Sequence, residues 1–156
     1  MPRLLVLALA LLALGAPAAA AQRSARRPSI GVALGSTLGS PSQFTGGITL
    51  AIPIGAALDI YPGFQSLGQI ERFTVALRTG PPSGFLRPYL GVGTSWEYES
   101  LGPDSRNDFG AVALAGLDIG QLQIGVGSGL SIFGEAAWLS HATGDGQLLA
   151  GARLAF

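Results

Sequence analysis

The chain has 156 residues, enough for one domain, with 48% hydrophobic residues, 24 glycines and no cysteine. Nine arginines balance nine acids, and lysine is absent. No disulfide, thiolate nucleophile, cysteine-held metal or lipidated cysteine is therefore available, and the even charge offers no basic face to nucleic acid.

A basic start at Met1 to Arg3, an apolar run from Leu4 to Leu14 and the small-residue tract Ala18 to Ala21 have the layout of a secretory signal peptide. That run is 11 residues long, short of the roughly 20 a spanning helix needs. Residues 1–21 are expected to be removed on export. Residues 22–28, with Arg23, Arg26 and Arg27, read as a flexible basic tail, or alternatively as a tether to anionic headgroups. Residues 29–156 form the folded domain.

From there the chain alternates with a period of two, the mark of a strand with unlike faces. Over 29–37, Ile30, Val32 and Leu34 share a face. Over 44–54, Phe44, Ile48, Leu50, Ile52 and Ile54 oppose Thr45, Gly47, Thr49 and Ala51. Residues 56–61 set Leu58 and Ile60 against Asp59 and Tyr61, and Pro62-Gly63 is expected to close that short strand. Over 70–79, Phe73, Val75 and Leu77 oppose Arg72, Thr74 and Arg78, and Gly80-Pro81-Pro82 makes a turn.

The stretch 87–99 is the cleanest strand. Leu90, Val92, Thr94, Trp96 and Tyr98 lie opposite Arg87, Tyr89, Gly91, Gly93, Ser95, Glu97 and Glu99. Residues 101–108 read as a polar loop, and 109–119 as a strand with Asp118 on its polar face. Residues 120–129 carry turn-like glycines beside strand-like Leu122 and Ile124. Over 130–140, Ile132, Ala136 and Trp138 oppose Ser131, Phe133, Glu135 and Ala137. The last run places Leu148, Ala150, Ala152, Leu154 and Phe156 against Gln147, Leu149, Gly151, Arg153 and Ala155.

Eight such strands without an intervening helix predict an all-β fold, an eight-stranded antiparallel up-and-down transmembrane β-barrel. The same period would fit a soluble barrel with an apolar pocket, of the lipocalin type. Its outer face would then need solvating charge, whereas the polar face here is mostly Gly, Ala, Thr and Ser. With the apolar face toward lipid, the sparse charges fall inside: Asp59, Arg72, Arg78, Arg87, Glu97, Glu99, Asp118, Glu135 and Arg153. Five acids and four bases in a lumen of side-chain width are expected to neutralise one another and plug it. Outward loops fall at 38–43, 63–69, 99–108 and 141–146. Trp96, Tyr98 and Trp138 then become interface aromatics. A loop centred near 143–144 would place Glu135 almost opposite Arg153, as a salt bridge.

The run Arg87-Pro88-Tyr89-Leu90-Gly91-Val92-Gly93 and the ending Leu154-Ala155-Phe156 resemble strands of the small bacterial outer-membrane barrels of the OmpA, OmpX and opacity-protein type. The resemblance implies residence in the bacterial outer membrane after export through the periplasm, among its lipids and lipopolysaccharide. It implies insertion by the barrel assembly machinery, which reads the closing strand at Leu154 and Phe156. It further implies a monomer with a structural or surface-interaction role, no enzymatic activity, no cofactor and no metal.

Two alternatives are carried forward, a narrow channel and a lipid-modifying enzyme. His141-Ala142-Thr143 faintly resembles the His-x-Ser of the outer-membrane lipid A deacylases. Thr143 stands in place of the serine, Gly144 in place of the usual asparagine, and the last strand has no glutamate, so a solvated loop histidine is expected. The Gly-x-Gly runs at 91–93 and 125–127 lack the following helix of a dinucleotide site and read as close strand packing. Asp104, Asp108 and Asp145 match no calcium-loop spacing and read as solvating charge.

Overall fold

The computed structural model describes residues 27–39, 41–82, 84–101, 104–125, 128–140 and 146–156. The expected signal peptide, most of the basic tail and the stretch His141 to Asp145 lie outside them. Alternation does set the architecture, since each polar-faced run above forms a strand. In chain order these are β1 (Ser29–Thr37), β2 (Phe44–Pro53), β3 (Leu58–Leu67), β4 (Ile70–Thr79), β5 (Leu86–Leu101), β6 (Asp104–Gly125), β7 (Ser128–Leu139) and β8 (Gly146–Ala155). Each pairs antiparallel with its neighbour, and β8 returns to β1, so the sheet is a closed barrel. Closure leaves no edge running the length of the sheet.

The apolar faces point outward. Phe44, Val92 and Ile132 are 71%, 66% and 57% exposed, and they belong to a belt contributed by all the strands. An inside-out soluble barrel is thereby excluded, because that fold would bury these residues. The interior instead takes the polar rows, with Asp59, Arg72 and Arg153 no more than 3% exposed. Along β4 the inward residues are Arg72, Thr74, Ala76 and Arg78, so an arginine stands at each end with small residues between. An apolar layer that includes Ala51, Ala76, Val112 and Leu114 fills that middle level.

Three boundaries differ from the sequence expectation. First, β3 does not close at Pro62-Gly63 but runs through both to Leu67. Its ladder to β4 is unbroken, while the ladder to β2 lapses at Tyr61 and Pro62. The missing proline N–H thus interrupts the ladder on one side only and leaves the strand intact. Second, the expected polar loop at 101–108 is largely ladder: β5 continues to Leu101, and β6 starts at Asp104. Trp96 faces Phe109 there, with the rings stacked at 6.3 Å, and its Nε1 donates to Asn107 Oδ1 at 3.1 Å. These cross-strand contacts hold a hairpin whose polar composition gives no hydrophobic alternation to read.

Third, the ambiguous stretch at 120–129 continues β6 to Gly125, after a break in register beyond Ile119. Gly120 sits at that break with φ of 70°, a conformation glycine adopts without a Cβ clash. One barrel end therefore carries the connections at 38–43, 68–69, 102–103 and 140–145. The other carries those at 54–57, 80–85 and 126–127, together with Arg27 and Phe156.

Candidate functional site in the barrel interior

Inward charges come together in two clusters, one toward each end. In the first, the register places Gln65, Arg72 and Glu97 in one row across β3, β4 and β5. Arg72 Nε donates to Glu97 Oε1 at 2.6 Å, and its Nη2 also contacts that oxygen. Nη1 donates to Gln147 Oε1 at 3.0 Å and to Gln65 Oε1 at 3.5 Å. Arg72 thus bridges β3, β5 and β8 through one guanidinium, whose planar fork suits several acceptors at once.

The second cluster is larger. Asp59 and Arg78 face each other across β3 and β4, and Arg78 donates through Nε and Nη2 to Asp59 Oδ2 at 3.1 and 2.8 Å. Asp118, on β6, accepts from Arg153 Nη1 and lies 3.9 Å from Arg78 and 4.0 Å from Arg87. Aromatic rings fill the gaps. The Arg78 guanidinium lies 4.7 Å from the Tyr61 ring centroid and 4.6 Å from that of Tyr89, while Arg153 lies 4.2 Å from that of Phe133. Arg153 Nη2 donates to the Tyr61 hydroxyl at 2.8 Å, and the Tyr89 hydroxyl donates to Glu135 Oε2 at 2.9 Å. Two of these rings lie over glycines on the next strand, Tyr89 facing Gly116 and Phe133 facing Gly151. A side chain at either glycine would collide with the ring.

The expected Glu135–Arg153 bridge is not formed. Glu135 faces Leu149, and Arg153 faces Ser131, a displacement of four residues along β8. An even displacement keeps both side chains inward, so each finds other partners, Glu135 the Tyr89 hydroxyl and Arg153 the Asp118 carboxylate. Of the nine charges placed inside from the sequence, seven are buried; Arg87 and Glu99, near the two ends, are half-buried. Gln65, Gln147, Tyr61 and Tyr89 were not singled out as partners from sequence. Their one signal was membership of the same alternating face as the charges.

On the outer face, Trp96, Tyr98 and Trp138 are exposed at 41%, 36% and 50%. Trp138 is next to the last residue of β7, and Trp96 is five residues from the end of β5, both toward the end with the 102–103 connection. Leu154 on β8 and Phe156 directly after it are exposed, and the Phe156 N–H donates to Pro28 O at 3.1 Å. Among the described residues no three His, Cys, Asp or Glu side chains are grouped as a metal site.

The overall architecture recurs in solved structures. The N-terminal β-barrel domain of Pseudomonas aeruginosa OprF superposes with a TM-score of 0.68 at 11% identity, over 84% of this chain and 98% of that one. A structure from the de novo design of transmembrane β-barrels gives 0.57 at 15% identity, over 82% and 93%. Neisserial surface protein A (NspA) gives 0.53 at 16% identity, over 83% and 96%. No protein-family model and no curated protein matches the sequence. At such identities the likeness is one of architecture, and the chain has the fold of the small outer-membrane barrels, eight antiparallel strands closed on themselves.

Proposed function

We propose that this chain is a bacterial outer-membrane protein with a structural or surface-interaction role, whose lumen is plugged by its own side chains. The carrying observation is the division of the two barrel faces: an apolar belt outside, and paired charges inside. In water such a belt would drive aggregation, whereas hydrocarbon accepts it at no cost. Charges so deeply buried persist only when paired, and the pairs here join neighbouring strands, Arg72 with Glu97 and Arg78 with Asp59, or reach past one strand, Arg153 with Asp118. Among the described residues the interior polar groups form charge pairs and hydrogen bonds that hold the strands together, which supports a structural role.

Two measurements test this. The refolded protein should migrate differently on a gel before and after boiling, as closed barrels do. Its planar-bilayer recordings should show no sustained current. A folded form recovered mainly from the soluble periplasmic fraction would end the membrane reading, and steady open channels would end the plugged-lumen reading.

Assembly into that membrane would depend on the closing strand. Leu154 and Phe156 present apolar side chains outward from β8, where the assembly machinery and lipid would meet them. Deletion of Phe156 is expected to lower the assembled fraction severalfold while leaving synthesis unchanged. Equal heat-modifiable bands with and without the residue would remove it from that role.

A further inference from the structure

One stretch of the barrel's outer face is hollow. The register sets Leu90, Ala115, Ala136 and Leu148 in one outward row across β5, β6, β7 and β8, so two methyl groups lie between two leucines. Two residues further along, Leu117 faces Gly134. The space a Cβ would take at Gly134 is open, its nearest neighbour being Leu149 O at 3.9 Å. The result is a groove of about 570 Å³, with Ala115, Gly134 and Ala136 as its floor and Trp138 at one end. Leu90 and Leu117 are half-buried beside it, whereas Val92 and Ile132 in the same belt stand 66% and 57% exposed.

Depth decides what can fill it. Trp138 is next to the last residue of β7, the level at which an indole meets lipid headgroups. From there to Gly134 is four residues, about 13 Å of strand, under half of the roughly 30 Å hydrocarbon core. The groove therefore starts at one headgroup level and ends inside the same leaflet, which is the path of an acyl chain. The outward side chains around it are apolar, so water finds no partner there, and an empty groove would forfeit the contacts of its lining. A second barrel is convex and would rest on Leu90, Leu148 and Trp138, leaving the floor uncovered.

We propose that this groove seats one acyl chain of a membrane lipid, entering from the headgroup level beside Trp138. The inference rests on the outer-membrane reading and goes beyond it, because it gives an otherwise uniform belt one fixed lipid position.

The refolded chain is taken up in vesicles of dimyristoylphosphatidylcholine, floated on a density gradient, and extracted into a mild nonionic detergent for native mass spectrometry. One phosphatidylcholine is expected to remain on each barrel. Ala136→Phe puts a ring where the chain would lie and should cut retention by at least about tenfold. Val32→Phe adds the same ring to the belt on β1, away from the groove, and should leave retention unchanged. Should Ala136→Phe fail to give the folded gel band, Gly134→Leu, whose side chain enters open space, serves in its place. A barrel that floats with the vesicles yet keeps no lipid, or keeps it equally with the groove filled, would overturn the groove assignment alone. A dimer broken by Ala136→Phe would overturn it in favour of a second copy of this chain. A chain that stays at the bottom of the gradient would end the membrane reading and the proposal with it.

Discussion

Replacing Arg72 with methionine is expected to destabilise the refolded barrel by about 3–5 kcal/mol, because it takes from the buried Glu97 carboxylate the guanidinium that neutralises it. Glu97 is 5% exposed and receives the Arg72 guanidinium through two nitrogens, so bulk water has little access to its charge. Glu97→Met should cost a similar amount by stranding the arginine. The double replacement, which leaves two apolar side chains of similar volume, should cost much less than the sum. Part of the residual cost arises because Gln65 and Gln147 lose the donor they share, about 1 kcal/mol for each hydrogen bond. Urea unfolding of the four proteins in micelles or vesicles gives the coupling directly. Additive losses would show that the pair is solvated and contributes little. This cluster is the better subject for such a cycle than Arg153, whose contacts with Asp118, Tyr61 and Phe133 cannot be removed one at a time.

The second large effect is expected at Gly93. A Cβ there would strike the backbone of β4, meeting Val75 O and coming within 2.5 Å of Ala76 Cα. Neither is the end of a flexible side chain, so relief requires β4 and β5 to part. Gly93→Val should therefore cost at least about 3 kcal/mol, the upper range for overpacking, and most of the protein should fail to give the folded gel band. Gly134→Ala is the control: the nearest atom to its added carbon is Leu149 O at 3.9 Å, an ordinary contact. If both variants fold alike, close strand approach at Gly93 is not what the glycine provides. The close strand packing expected of the Gly91-Val92-Gly93 run is seen in that contact.

How far each feature could be read from sequence follows the physics that makes it. The faces of β4, β5, β7 and β8 were legible because alternation over about ten residues has a single structural cause. Pro62 misled the assignment of β3, since a proline in a strand interrupts the ladder on one side only, and only the partner strands show which side. The hairpin beyond Trp96 was hidden for the opposite reason. Its residues 101–108 are polar on both faces, so composition alone could not separate ladder from loop. At 120–125 the glycines signalled a break in register rather than the end of the strand.

The charged interior divides in the same way. Which residues face inward follows from the period of two, and that period is a local property of the backbone. The sequence by itself thus determined eight strands, an outward apolar belt and the set of charges inside. Which inward charge meets which is a matter of register and closure, decided only by the tertiary structure. Glu135 and Arg153 share a hairpin and a face, yet they stand four residues apart in register, because the ladder pairs Glu135 with Leu149 and Arg153 with Ser131. Asp118 meets Arg153 although the two are 35 positions apart on strands that are not neighbours, because the barrel curves them toward a common axis. Alternation carries no information about distance across a lumen, and that distance is what makes an ion pair.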